Sequence, residues 1–231
     1  MRIAVLLLFS IPFACGLDHS IIFSLVIFIC DTVSITFALS ITSLFKEPGQ
    51  YNFDESSLIF NAEGRKFQKQ RYYCSAPVKS KDFIAYWDDQ KTKCRKGIIV
   101  HSSGNTWYLS RDYYMWLNFL PIYDKEEKRF DFAKVRDAQY HMALYEILGE
   151  LHYKHAVILK KRQIASSYFH AGKLINQIWF EEGITLKMGA SLKDYINEKG
   201  TWKFLNEYEA FLNKHTAWYR PMNPNKVMMW Q

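Results

Sequence analysis

The order of predicted elements between residues 137 and 190 constrains the fold of this chain more than any other feature. Residues 137–151 predict an amphipathic helix, because apolar residues recur there at the i, i+3, i+4, i+7 spacing of one helix face. The following segment HAVILKK is typical of a short buried strand in a parallel sheet. After the loop RQIASS, a helix is predicted to run towards Glu181 and end at Gly183, and ITLKMGA predicts a second strand. This order predicts an α/β fold that begins a parallel sheet.

The loop after the first predicted strand is a candidate phosphate site. In such a βαβ unit, the loop N–H groups and the N-terminus of the next helix both point at a bound anion. The loop offers basic and hydroxyl side chains, namely Lys160, Lys161, Arg162, Ser166 and Ser167. It lacks the glycines and the lysine of the GxxxxGK[ST] signature, and Ser166 occupies the lysine position. A solvated strand end is the alternative interpretation of the three basic residues.

Three segments together resemble the N-terminal ATPase region of tailed-phage terminase large subunits: FDFAKVRDAQYHMALYEIL, HAVILKKRQIASSYFHAGKLINQIWF and ITLKMGASLKDYI. The stretch from LFKEPGQYNFD to YYMWLNFLPIY is similar to the preamble of such proteins, so the resemblance covers most of residues 44–231. It implies that residues 130–231 form the beginning of a P-loop NTPase parallel sheet, which is incomplete in this chain. A mixed α/β preamble over residues 46–129 would precede it.

The resemblance also implies roles for individual residues. Gln139 matches the glutamine that contacts adenine, and Arg162 with Gln163 matches the RQ pair of a deviant Walker A motif. Ser167 matches the hydroxyl residue that coordinates magnesium through ATP. An alternative for Gln139 is an ordinary surface residue at a helix N-terminus.

The loop departs from the family pattern at two positions, where Ala165 and Ser166 replace glycine and lysine. The cation for the β- and γ-phosphates would therefore come from Lys160, Lys161 or Arg162, with Ser166 as a further nucleotide contact.

The resemblance implies ATP and magnesium as cofactors. It also implies that the function of the protein is DNA packaging driven by ATP hydrolysis. The partners would be double-stranded viral DNA, the portal and the small terminase subunit, in the host cytoplasm. No apolar strand ending in Asp-Glu follows Met188, and no nuclease domain follows the ATPase segments. We therefore expect an N-terminal portion of such a hydrolase, with no catalytic residue identified and with weak or no ATP turnover of its own.

Residues 1–45 form an apolar leader that resembles a signal peptide followed by a transmembrane-like stretch. A misassigned start is the alternative explanation. If the leader is genuine, a second function arises: a membrane-anchored, basic, aromatic-rich protein that binds a partner or nucleic acid without catalysis. The formal net charge of +7 suits a polyanionic partner under either interpretation.

Within residues 46–129, turn-forming residues up to position 76 predict an extended arm with little regular structure. A helix is predicted over 80–96 with Gly97 as its stop. A β-hairpin is predicted around HSSGN, with Gly104 at positive φ. The run RDYYMWLNFLPIYD could supply either core or base-stacking aromatic rings, and core is the favoured interpretation.

Other reactive side chains favour structural interpretations. Cys74 and Cys94 are expected to be reduced thiols, with a disulfide as the alternative and a zinc site disfavoured because no CxxC pair occurs. His152 and His155 are expected to face solvent. The neighbouring carboxylates at positions 88 and 89 point apart on a helix, which excludes a glycosidase pair.

Overall fold

The computed structural model describes residues 59–102, 104–124, 128–158, 165–184, 186 and 200–220. The described residues up to 140 and from 165 onward cluster into one compact unit, whereas residues 141–158 belong to a second. The apolar leader and the start of the preamble lie outside the described residues. No helix in the described part is long and apolar enough to cross a membrane.

The described residues form six helices and two small antiparallel sheets, so the chain has a mixed α/β fold. The helices are α1 Ala62–Gln70, α2 Lys81–Lys96, α3 Arg111–Phe119, α4 Asp137–Leu151, α5 Ser166–Phe180 and α6 Thr201–His215. The strands are β1 Ile98–Ser102, β2 Asn105–Leu109, β3 Ile122–Asp124 and β4 Arg129–Asp131. Strand β1 pairs with β2 and strand β3 with β4, both antiparallel.

Helix α2 and the hairpin after it confirm the prediction made for this stretch. The Ser80 hydroxyl accepts a hydrogen bond from Phe83 N at 3.2 Å, which caps the first turn of α2. Gly97 ends the helix at a φ of 75°, a conformation that favours glycine. Gly104 adopts a φ of 73° in the turn that joins β1 to β2, as predicted.

The prediction of an extended arm up to residue 76 is wrong for its described part, because α1 forms there. A distant side chain stabilises the start of this helix: Asn118 Oδ1 accepts from Glu63 N at 3.1 Å and from Gly64 N at 3.3 Å. These N–H groups lie in the first turn, which no preceding residue of the helix can pair. The cap comes from more than fifty residues away, so local turn-forming residues could not indicate it.

Helix α3 is the centre of the first unit. All of its residues from Asp112 to Phe119 are buried, and it packs against α1, α2 and α5. The interpretation of its aromatic residues as core is therefore confirmed for Tyr113, Tyr114, Trp116 and Phe119. Tyr123, just beyond the helix, is exposed.

An aromatic cluster surrounds the end of α3. The Phe119 ring lies 4.9 Å from that of Tyr73 and 4.9 Å from that of Trp218, measured between centroids. Trp218, which follows α6, also contacts the rings of Trp87 and Phe180, each at 5.1 Å. The three contacts of Trp218 are edge-to-face, and contacts of this kind stabilise a core beyond the area that they bury. The cluster therefore joins segments from both ends of the described chain.

Gly64 marks the closest approach of α1 to α3. A Cβ atom at this position would lie 2.8 Å from Leu117 O and 2.8 Å from Phe132 Cγ. We expect Gly64→Ala to destabilise the protein by about 1–3 kcal/mol, although alanine is the better helix former by roughly 1 kcal/mol, because overpacking against backbone outweighs propensity. Urea unfolding measures the change.

The exposed position Lys69 supplies the control for Gly64→Ala. The difference in unfolding free energy between Lys69→Ala and Lys69→Gly measures the effect of helix propensity alone in α1. A Gly64→Ala protein that is more stable than the native chain would contradict the close packing of α1 on α3.

Helix α4, which belongs to the second unit from His141 onward, confirms the predicted amphipathic helix, with the predicted bounds. The chain turns directly after it, where Lys154 N donates to Gly149 O at 2.8 Å and Tyr153 has a φ of 53°. The predicted buried strand is wrong in its described part: residues 155–158 take no strand conformation, and Val157 is 74% exposed. Apolar β-branched residues favour a strand only where a neighbouring strand and a packed face exist.

Candidate functional site

Gln139 lies in the first turn of α4 and is only 3% exposed, so its interpretation as a surface residue is wrong. Its neighbour Tyr140 fixes this turn in the core. The Tyr140 hydroxyl accepts from Tyr108 N at 3.3 Å, and its ring lies 5.6 Å from Trp107 and 6.2 Å from Tyr113. Tyr140 therefore packs the first turn of α4 against α3 and the hairpin.

A helix follows the candidate phosphate loop as predicted, but α5 begins at Ser166, so the last two residues of the predicted loop RQIASS belong to the helix. Ala165 precedes it with a φ of 55° and offers no side-chain cap to the first N–H groups. Ser166 is buried, and its carbonyl accepts a hydrogen bond from His170 Nδ1 at 2.7 Å. Ser167 is exposed in the same turn. The hydroxyl that was matched to the magnesium ligand therefore faces solvent at a helix N-terminus.

Tyr113 connects the two candidate segments. Its ring centroid lies 6.2 Å from that of Tyr140 in α4 and 6.1 Å from that of Phe169 in α5. Burial raises the pKa of the Tyr113 phenol well above its usual value, so the ring stays neutral at any physiological pH. The structure thus brings the turn of Gln139 and the turn of Ser166 to the same core residue.

Lys160, Lys161, Arg162 and Gln163 lie outside the described residues. Their roles stay predictions, and so does the phosphate contact of this loop. The predicted second strand also lies almost wholly outside, since only residues 184 and 186 of it are described. In the described residues, strands pair only in the antiparallel sense.

Asn176 holds α5 in place and was not singled out by sequence reasoning. Its side-chain amide donates to Cys94 O at 2.8 Å and to Arg111 O at 3.2 Å, which ties α5 to the end of α2 and the start of α3. Arg111 also forms an ion pair with Glu181 directly after α5. A polar residue on the apolar face of a predicted helix is the signal that could have indicated it.

The other potentially reactive side chains lie in surroundings that indicate structural roles. Cys94 is a fully buried free thiol whose pKa is raised by burial, so it is protonated at neutral pH. Asp89 forms an ion pair with Lys93 at 2.6 Å, and His152 and His155 are exposed. Within the described ranges, no group of three or more His, Cys, Asp or Glu residues could hold a metal ion.

Comparisons with known proteins leave the family open. No family model matches the chain, and no curated protein sequence or solved structure is significantly similar to it. A functional assignment therefore has to come from the residues and their geometry.

Proposed function

We propose that this chain is the N-terminal ATP-binding portion of a viral DNA-packaging motor of the terminase large subunit type. The observation that carries the proposal is the convergence of two segments on Tyr113, 6.2 Å from Tyr140 and 6.1 Å from Phe169. The turn of Gln139 and the turn of Ser167 are far apart in sequence, yet one nucleotide would have to contact both. A shared core residue supports such a site.

The start of α5 supports the phosphate end of the proposed site. Its first N–H groups have no side-chain cap at Ala165, and the Ser167 hydroxyl is exposed beside them. A helix N-terminus favours an anion through its free N–H groups and its dipole. Lys160, Lys161 and Arg162 would add positive charge, while Ser167 would coordinate magnesium through ATP, with Gln163 and Ser166 completing the loop.

The adenine contact is assigned to Gln139, as the resemblance implies. Its side chain is buried in the first turn of α4 and is not part of the exposed face of that helix. The parallel P-loop sheet belongs to the proposal as well, and the described residues do not contain it.

DNA translocation into proheads is the activity that this proposal implies, with double-stranded DNA, the portal and the small terminase subunit as partners in the host cytoplasm. The net charge of +7 supports contact with DNA. The second candidate is a basic, aromatic-rich binding protein without catalysis, anchored in a membrane if the leader is genuine. It is favoured by a cavity that is lined by aromatic rings together with Arg71 and Lys214, and by none of the residues assigned to the proposed ATP site.

Magnesium-dependent binding of a fluorescent ATP analogue to the purified full chain tests the first candidate. We expect the double substitution Lys160→Gln/Lys161→Gln to weaken binding by about ten-fold or more, since a charge-assisted hydrogen bond contributes roughly 1.5–3 kcal/mol. Ser167→Ala should remove most of the magnesium dependence, because the hydroxyl is the proposed metal ligand.

The charge-matched control is Lys91→Gln/Arg95→Gln, which removes two exposed cations from α2. This control should bind the analogue as the native chain does. Equal losses in both double variants would show general charge attraction, and a native chain without magnesium-dependent binding would rule the motor assignment out.

A further inference from the structure

A cavity of about 380 Å³ lies in the first unit, lined by residues of α1, β4, α6 and the residues next to them. Its volume falls in the range of about 300–1,000 Å³ that is typical of small-molecule sites. None of the residues assigned to the proposed ATP site lines it. The cavity is therefore a separate candidate site for a ligand.

Five of the residues that line the cavity have aromatic side chains. Phe67 and Phe132 are buried at its base, with ring centroids 6.0 Å apart. From α6, the rings of Phe211 and His215 lie 5.2 Å and 4.9 Å from that of Phe67. Phe130 is 55% exposed, which places it at the open side of the cavity. A flat, apolar group of a ligand would find ring surfaces here to pack on.

The acidic groups of the cavity are already paired. Asp131 lies 3.6 Å from Arg129, and Glu207 lies 3.8 Å from Lys203. Neither Arg129 nor Lys203 lines the cavity. These ion pairs reduce the negative potential that the two carboxylates would otherwise place at the site.

The basic groups of the cavity differ in this respect. Arg71 and Lys214 both line it and both are exposed, and neither has an acidic partner within 4.0 Å among the described residues. Burial and the neighbouring Lys214 lower the pKa of His215, so its ring is neutral at pH 7 and adds an aromatic surface rather than a charge. Two cations beside an aromatic wall complement a ligand that has both a flat ring and a negative charge.

We propose that this cavity binds an unpaired nucleotide, with the base against Phe130 and Phe211 and the phosphate on Arg71 and Lys214. Base stacking on aromatic side chains next to a basic surface is the general means by which proteins hold single-stranded nucleic acid. A neutral apolar ligand would leave the two cations unused, and a simple anion would leave the aromatic wall unused. The net charge of +7 favours the polyanion that carries such nucleotides. The proposal stands independently of the ATP site.

Fluorescence anisotropy of a labelled oligothymidine with the full chain, without magnesium, tests this inference. We expect Arg71→Gln/Lys214→Gln to weaken binding by about ten-fold, because two phosphate contacts are lost. Phe130→Ala should weaken it by about five-fold or more, the range that loss of one stacked base produces. Thermal unfolding checks that both variants fold, as expected for exposed side chains.

The control Lys91→Gln/Arg95→Gln removes the same charge from α2 and should change the affinity by less than about two-fold if two specific contacts, rather than net charge, dominate binding. Competition with thymidine monophosphate and with inorganic phosphate identifies the ligand. Displacement by the mononucleotide supports a free nucleotide as the ligand, and displacement only by the oligonucleotide supports a strand. Equal losses in both double variants, equal competition by inorganic phosphate, or no binding by the native chain would each overturn the inference.

Discussion

Asn118→Leu is expected to lower the free energy of unfolding by at least about 3 kcal/mol, since each buried polar group left without a partner costs roughly 1–3 kcal/mol. Asn118 is 1% exposed. Its Oδ1 accepts from Glu63 N and Gly64 N, and its Nδ2 donates to Phe60 O at 2.9 Å and to Tyr114 O at 3.0 Å. Leucine fills a similar volume but pairs none of these groups. Urea unfolding followed by tryptophan fluorescence measures the change.

Gln70→Leu is the control for this prediction, because Gln70 is exposed at the end of α1 and surface substitutions usually change stability by less than about 0.5 kcal/mol. Asn118→Asp separates the two halves of the network, since it keeps the acceptors for α1 but loses the donors and buries a charge. It should also destabilise the protein, and more so at high pH, where the carboxylate is ionised. An Asn118→Leu protein as stable as the native chain would show that α1 needs no cap from α3.

The second large effect is expected for Phe119→Ala, at about 3–5 kcal/mol, the usual cost of removing a fully buried ring. Phe119 has no exposed surface and contacts aromatic rings of four other residues, which are Tyr73, Trp87, Tyr114 and Trp218. These rings come from separate segments, so they cannot easily move together to fill the cavity. Phe119→Leu should cost less, because it leaves a smaller void. Thermal unfolding of the native protein and the two variants measures the order of their stabilities.

Phe130→Ala is the matched control for Phe119→Ala, because it removes the same atoms from a side chain that is 55% exposed. Its effect on stability should be small, since partly exposed rings lose less transfer free energy. It should act on nucleotide binding instead. Similar destabilisation by both substitutions would contradict the placement of Phe119 at the centre of the aromatic cluster.

Elements whose signals are local could be predicted from the sequence. The Ser80 cap and Gly97 delimit α2, Gly104 marks the hairpin turn, and the spacing of apolar residues indicates α4. Each signal lies within the element or next to it. The aromatic run of α3 was also identified as core, because a run made up mostly of large aromatic and apolar residues seldom faces water.

Elements that depend on distant partners could not be predicted. Helix α1 is capped by Asn118, and the strand expected at residues 155–158 would have needed a neighbour that the apolar run itself cannot supply. Some features of the candidate site could likewise be predicted from the sequence, and others could not. A helix after the candidate loop was predicted, although α5 begins two residues earlier than expected. The burial of Gln139 and the contact of its neighbour Tyr140 with Tyr113 arise from tertiary packing.

The position of Trp218 has a consequence for folding during synthesis. A ribosome synthesises this chain from the N-terminus, so Trp87 on α2 and Phe119 on α3 are made about 130 and about 100 residues before Trp218. Until Trp218 leaves the ribosome, the rings of Trp87 and Phe119 lack one of their neighbours and offer apolar surface to other molecules. The aromatic cluster therefore forms late, and we expect the nascent chain to bind a chaperone before the cluster is complete.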